Sequence, residues 1–442
     1  MTRRSLLLSL GTVLAPRNWA AATPEDEALR RKDKLIVHSA RPLDLETPPS
    51  LLDSWMTPNR RFFVRSHFYI PHVEAGTWRL RVEGLVQKPL ELTLEQLQRL
   101  PQVEAVVTLE CAGNGRALFR PRVAGIQWRK GAVGTARWKG VRLADVLAMA
   151  SLKPEGRHLA FDGADVPVGT APEFIRSVPV EKCLDPATLL ATHMNGEPLP
   201  LEHGYPLRLI TPGWEGAACV KWLTRITAIP QEFDGFFMKT AYRFPVKPVA
   251  PDTAVDAADM QAITALAVKS IITGTRGAIR GFAWAGENEV ARVEVSLDAG
   301  KTWQEAKLGP DQARYAWRGF RFGLTQVPES PLPVAVRATD SAGRTQPAGQ
   351  QWNPSGYLYN VPDRVTVGQA ESMPPPFQLP PGEGLKIFKA RCLACHDEAV
   401  TVSQRLDPGR WTREVEKMMR WGAQLSDAEK ETLVRYLSER LR

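Results

Sequence analysis

Cysteine is scarce in this chain, with five among 442 residues, and the count is odd. That is too few for a disulfide scaffold of this length, and at least one thiol stays unpaired. No apolar run reaches the roughly 18 residues that a membrane-spanning helix needs, so no transmembrane segment is expected. Runs of five or more like charges are also missing. The net charge of +9 comes from 57 basic residues scattered among 48 acidic ones. That distribution excludes the concentrated basic stripe of a nucleic-acid binder and fits solubility and the steering of a small anion. An apolar fraction of 43% suits a globular chain, and the length suits about three domains.

The first 22 residues are read apart from the fold. Arg3-Arg4-Ser5 precedes an apolar run over 6–15, and Ala20-Ala21-Ala22 supplies small residues for cleavage. A charged start, a short apolar stretch and an A-x-A site make a signal peptide, with a short N-terminal helix as the alternative. The paired arginines give it the twin-arginine form, which exports proteins already folded, so a periplasmic location is expected. The segment holds three arginines and no acid, and its removal leaves a net charge of +6.

Four further regions follow: 23–250, 251–367, 368–382 and 383–442. Residues 23–50 are polar and proline-punctuated, and are expected to wrap a surface. Residues 78–84 alternate as a half-buried strand does, and 106–109 reads as a short apolar strand. Thr93 with Gln96 forms a capping-box pattern for a short helix. Residues 290–297 and 334–338 alternate with period two. Between them Asp298-Ala299-Gly300 supplies a turn, and Thr302-Trp303 is expected to begin the return strand. Short strands with glycine turns predict an immunoglobulin-like sandwich. Pro374-Pro375-Pro376 and Pro380-Pro381 mark a semi-rigid linker. Beyond it the chain reads as helices, with Trp411, Val415 and Met418 on one face and a capping box at Ser426 and Glu429. Sixty residues give little core, and a bound cofactor would make up the deficit.

Cys392-Leu393-Ala394-Cys395-His396 explains what that cofactor would be. Two thiols at this spacing add to the vinyl groups of one haem, and the adjacent imidazole becomes an axial iron ligand. A redox dithiol would want a strand–helix context. A zinc site would want two further ligands nearby, and no Cys or His follows His396. Thioether attachment takes place outside the cytoplasm, in agreement with the signal segment. A methionine is the natural sixth ligand. Only Met418 and Met419 follow the motif, and Met418 is favoured because it shares the face of Trp411 and Val415; core filling by both is the alternative.

A second motif is 108–116, in which Cys111 leaves a strand and enters Ala112-Gly113-Asn114-Gly115-Arg116. A nearby arginine favours a thiolate and hence metal ligation, but a structural cysteine is the more ordinary reading of this segment alone. The segment resembles the signature of the sulfite oxidase family of molybdenum enzymes, and further blocks extend the resemblance over most of residues 55–365. They are Phe62-Phe63-Val64-Arg65-Ser66-His67, Gly125-Ile126-Gln127-Trp128-Arg129, 135–140, 203–209, 220–223, Tyr242, and Trp352-Asn353-Pro354-Ser355-Gly356 with Asn360.

The resemblance implies a multidomain fold: an α+β sulfite-oxidase-type molybdopterin domain, an immunoglobulin-like β-sandwich dimerisation domain and a small all-α cytochrome c domain. It implies that Cys111 binds molybdenum beside a pterin dithiolene. It also implies that Arg65 and Arg116 bind an oxyanion, a task suited to the guanidinium fork, with Trp128 and Tyr242 lining the pocket. His67, His203, Arg208 and Lys221 would hold the pterin and its phosphate. Ser66 stands where the family often has Asn. Cys183 and Cys219 match no ligand and are read as core thiols.

The implied function is a sulfite dehydrogenase, a homodimer that passes electrons through fused haem c to an external cytochrome c. A sulfane dehydrogenase acting on carrier-bound sulfur shares this core. A haem c electron carrier with an inactive molybdenum domain is the reading from another class.

Overall fold

The computed structural model describes residues 22–251, 253–324, 331–368 and 378–441. Residues 1–21 of the signal segment and Pro374-Pro375-Pro376 of the linker lie outside them.

Two five-stranded sheets make the scaffold of the catalytic region. In the first, Leu189–Met194 pairs with Glu197–Pro198, Arg208–Ile210 and Val133–Arg142, which in turn pairs with Gln102–Glu110, all antiparallel. In the second the order is Leu90–Thr93, Arg79–Gly84, Leu223–Ile229, His158–Gly163, Arg176–Pro179, with one parallel pairing between Arg79–Gly84 and Leu223–Ile229. The alternation expected over 78–84 is present: Leu80 and Val82 are buried and Arg81 is exposed. Their side chains meet Leu143, Val146 and Leu147 of helix Leu143–Ala150 and Leu190, Leu209 and Ile226 in one core shared by the two sheets. The capping box at Thr93 forms, with Gln96 N donating to Thr93 Oγ1 at 3.1 Å and Thr93 N to Gln96 Oε1 at 2.8 Å.

Two expectations change here. Residues 23–50 do not simply wrap a surface. They form helix Pro24–Arg31 and the hairpin Ile36–Ala40 with Leu43–Glu46, whose Leu43 and Leu45 are buried with Ala28, Val64 and Trp222. Proline and charge hid this because the apolar residues that bury are few and separated. The short strand at 106–109 is the inner end of a nine-residue strand, Gln102–Glu110, whose outer half carries half-exposed side chains.

The second region is a sandwich of two four-stranded antiparallel sheets. Ile279, Ala283 and Phe320 of one meet Val293, Val295, Val334 and Val336 of the other. The return strand begins at Gln304 rather than Thr302, because Asp298 holds Thr302 in the loop: its carboxylate accepts from Thr302 N at 2.9 Å and Thr302 Oγ1 at 2.7 Å.

Helices Glu383–Arg391, Glu398–Val402, Pro408–Arg420 and Asp427–Arg440 close the chain around Phe388, Trp411, Val415, Leu433 and Leu437. The capping box at Ser426 forms. Met419 packs against this core together with Cys392, whereas Met418 is half-buried outside it, so the face of Trp411 and Val415 does not carry Met418 inward. No described helix is long and apolar enough to cross a membrane.

The helical module sits on the catalytic region through specific bonds. Asp397 N donates to Arg41 O at 3.0 Å, and Ala40 N to Asp397 Oδ2 at 2.5 Å. Tyr69 Oη donates to Cys395 O at 3.2 Å, and Thr170 N to Trp421 O at 3.1 Å. The cysteine motif therefore lies against a residue two positions from His67.

Candidate active site

Strand Gln102–Glu110 delivers Cys111 to the floor of a cleft. Cys111 N donates to Ala132 O at 2.9 Å, and Asn114 N returns to Cys111 O at 2.8 Å, so the loop is closed on itself. The preceding Glu110 is buried and accepts from Lys269 Nζ at 2.6 Å and Trp284 Nε1 at 2.7 Å, both contributed by the sandwich. The cleft and its mouth hold about 720 Å3 of space, part of it open to solvent. Arg65, His67, Phe174 and Tyr242 line it beside Cys111, and His203, Arg208, Cys219 and Lys221 continue it, with Asp165 and Glu202 as its carboxylates.

Cations outnumber what the carboxylates can balance. Arg65 Nη1 pairs with Asp44 at 3.2 Å, a carboxylate of the N-terminal hairpin, and donates to Ser66 O. Among the described residues Lys221 Nζ hydrogen-bonds to neutral groups, Ser66 Oγ at 2.9 Å and Glu202 O at 3.0 Å. Burial, reinforced by Arg208, pushes Lys221 down to about 7. Arg208 donates to His203 O at 2.9 Å and Cys219 O at 3.1 Å, its buried Nε has no partner among the described residues, and burial lowers its pKa to about 10. Lys32 reaches His203 Nε2 at 2.6 Å and Glu202 at 3.1 Å, and burial holds it at about 8. Burial beside these cations keeps His67 and His203 far below the usual imidazole range, hence neutral at pH 7. A buried cation without a counter-charge is costly, and an anionic group in the cleft would relieve it.

Cys111 tells the same story from the metal side. Burial pushes its thiol up to about 11, against the pull of Arg65 and Arg116. It ionises at neutral pH only if a metal takes the sulfur. Among the described residues no three His, Cys, Asp or Glu side chains gather as a metal site, so a metal at Cys111 draws its other ligands from an organic group. A cofactor that brings both sulfur ligands and a phosphate fits this donor set.

The structure brings together Cys111, Arg65, His67, His203, Arg208, Lys221 and Tyr242, as the motifs imply. It sets Arg116 and Trp128 outside the cleft lining. The Arg116 guanidinium is committed to backbone, with Nη1 to Ile126 O at 3.0 Å and Nε to Ser355 O at 3.2 Å. Trp128 is fully buried and packs edge-on against His38, with ring centroids 4.8 Å apart. Cys183 and Cys219 are buried free thiols. Lys32, Arg176 and Lys269 were missed: each lies in an unremarkable charged or alternating stretch, and only tertiary contact gives it meaning.

In the helical module, Cys392, Cys395 and His396 are half-buried. His396 Nδ1 lies 2.9 Å from Asp397 O, an arrangement that fixes the Nδ1–H tautomer and leaves Nε2 as the ligand atom. The buried Nε1 of Trp411 has no partner among the described residues. These residues fit a thioether-bound haem with a polar edge.

Sheets that present a strand-end cysteine, Cys111, to a cation-lined cleft, joined to a sandwich, define a molybdopterin oxidoreductase. Residues 67–237 match the oxidoreductase molybdopterin binding domain, and residues 254–370 the Mo-co oxidoreductase dimerisation domain. The chain is 38% identical to sulfite oxidase of Gallus gallus over 74% of this chain and 76% of that one. It is 32% identical to sulfite oxidase of Arabidopsis thaliana over 76% of this chain and 94% of that one. With mitochondrial sulfite oxidase of Homo sapiens it shares 39% identity over 76% of this chain, a match that spans 66% of the human protein. The crystal structure of the sulfane dehydrogenase SoxCD from Paracoccus pantotrophus superposes with a TM-score of 0.67 at 29% identity, covering 81% of this chain and 93% of that one. The chain belongs to the sulfite oxidase family.

Proposed function

We propose that this protein is a periplasmic sulfite dehydrogenase that passes electrons from a molybdenum–molybdopterin centre through a fused haem c to an external cytochrome c. The observation that carries the reading is the cleft itself. Cys111 shares it with Arg65, His67 and Tyr242 on one side, and with His203, Arg208 and Lys221 on the other. The bound metal would supply two-electron oxygen-atom chemistry, in which sulfite and water become sulfate, two protons and two electrons. His203, Arg208, Lys221 and Lys32 hold the pterin phosphate as a group of buried donors. Arg65, kept charged by Asp44, attracts the anionic substrate and orients its oxygens. Tyr242 Oη lies 2.7 Å from His67 Nε2, so the phenol and a neutral imidazole form a hydrogen-bonded pair that can hold or pass a proton beside the substrate.

The fused cytochrome reading rests on Cys392, Cys395 and His396, with Met418 or Met419 as sixth ligand. Its docked position makes electron delivery intramolecular. Export by the twin-arginine route follows from the N-terminal segment. A homodimer is proposed from the match to the dimerisation domain.

The sulfane dehydrogenase reading keeps its place because of the likeness to SoxCD. A substrate panel with haem reduction as readout separates the two. Free sulfite reducing the haem within the turnover time supports the dehydrogenase proposed here. Reduction only by a carrier-bound sulfane sulfur replaces it.

A further inference from the structure

Tyr242 stands in a column of four side chains. Its ring stacks on that of Tyr357 with centroids 5.5 Å apart and planes 9° from parallel. The Arg176 guanidinium lies over the Tyr242 ring at 4.9 Å, and that of Arg116 over the Tyr357 ring at 5.1 Å. The contacts run from Arg176 to Tyr242, Tyr357 and Arg116, two stacked aromatic rings with a cation against each.

The column is built from distant parts of the chain. Arg176 opens the strand Arg176–Pro179, is buried, and donates from Nη1 to Phe237 O, and its Nε has no partner among the described residues. Tyr357 belongs to the segment that returns from the sandwich, and its backbone N–H donates to Asn353 Oδ1 at 3.1 Å. Arg116 is fixed by Ser355 O of the same segment and by Ile126 O. Tyr242 itself has a left-handed backbone, φ 56°, a conformation that a bulky residue keeps only when its surroundings impose it. A guanidinium over an aromatic face is attractive, and offset stacked rings are a preferred aromatic geometry.

We propose that Tyr357 and Arg176 are positioning residues for Tyr242: they pack on its ring, so that its hydroxyl stays on His67 and points into the cleft. Arg116 bears on the column through the Tyr357 ring. The sandwich segment becomes a working part of the active site as well as a neighbour of it. The inference rests on the reading of Tyr242 as the phenol of the reaction.

The test uses full-length holoenzyme bearing Tyr357→Ala, Tyr357→Phe or Tyr242→Phe. Steady-state kinetics with sulfite are measured beside spectra of ring-labelled [13C]tyrosine, in which the chain's seven tyrosines are followed individually. Tyr357→Ala is expected to lower kcat about tenfold with KM within twofold, and to move the Tyr242 ring resonance as the ring current of its neighbour is lost. Tyr357→Phe keeps the stack and is expected to restore both to within twofold. Unchanged kcat and an unmoved Tyr242 resonance in Tyr357→Ala would overturn the proposal, as would equal losses in the Ala and Phe variants. If Tyr242→Phe is as fast as the wild type, the reading of Tyr242 fails instead, and the resonance shift still decides whether the column exists.

Discussion

Replacing Lys221 by methionine tests whether the cleft is built for an anion. Lys221 is half-buried against the Trp222 ring, 4.0 Å from its centroid, and its ammonium meets only neutral acceptors. Burial first, and Arg208 second, lower it from 10.5 to about 7. In the unfolded chain it titrates near 10.4. Between these values the unfolded state binds the extra proton, so in cofactor-free protein stability must rise with pH from 7 upward and the penalty is fully present below 7. Each pH unit is worth about 1.4 kcal/mol, so pH 7 to 9 should add about 2 kcal/mol from this group. Guanidinium unfolding of cofactor-free wild type and Lys221→Met, at pH 7 to 9, gives the difference of slopes. The variant loses two hydrogen bonds but should lack this rise. In the loaded protein a phosphate keeps the lysine charged, the wild-type rise should vanish, and Lys221→Met should retain little molybdenum. Identical pH slopes for the two cofactor-free proteins would refute the reasoning.

Cys392→Ser combined with Cys395→Ser should abolish covalent haem, read as loss of haem staining after denaturing electrophoresis, while molybdenum content stays unchanged. Glu215 is buried, with Oε2 unpartnered, and burial and Glu110 raise its pKa well above the carboxyl range. Its neutral form stabilises the fold fully below about pH 4.5, and that contribution declines as pH rises toward the folded-state pKa. Glu215→Gln should therefore flatten the stability profile above pH 5, measured by calorimetry, and an unaltered profile would count against a protonated acid there. Gly140→Ala would place a methyl 2.0 Å from Leu190 O across the sheet. A loss of about 3 kcal/mol is expected from overpacking against backbone, and wild-type stability would contradict the register described.

Legibility in the sequence followed the range of the interactions. The capping boxes at Thr93 and Ser426 were readable because both partners lie three residues apart. The Cys-x-x-Cys-His pattern at 392–396 was readable for the same reason, since it occupies five consecutive residues. Cys111, Arg65, His203, Lys221 and Tyr242 could be gathered into one site only through family resemblance, because nothing local ties positions 65, 111, 203 and 242 together. Resemblance also led toward Arg116 and Trp128 as cleft residues, where the side chains are instead committed to Ile126 and Ser355 carbonyls and to the face of His38. Arg176 and Tyr357 were invisible, because a cation stacked on a ring leaves no spacing in the chain. The buried hairpin at 36–46 was missed because its pairing with Val64 and Trp222 replaces the periodic pattern a longer element would show.

The central claim is that one chain oxidises a sulfur oxyanion at Cys111 and delivers the electrons to His396. Anaerobic stopped-flow spectroscopy of the oxidised, full-length protein mixed with less than one equivalent of sulfite tests it directly. The haem α-band is expected to rise in a single turnover, and Cys111→Ser, loaded with haem, to show none of it. Haem that stays oxidised in the molybdenum-replete wild type, or that is reduced equally well in the Cys111 variant, would contradict it.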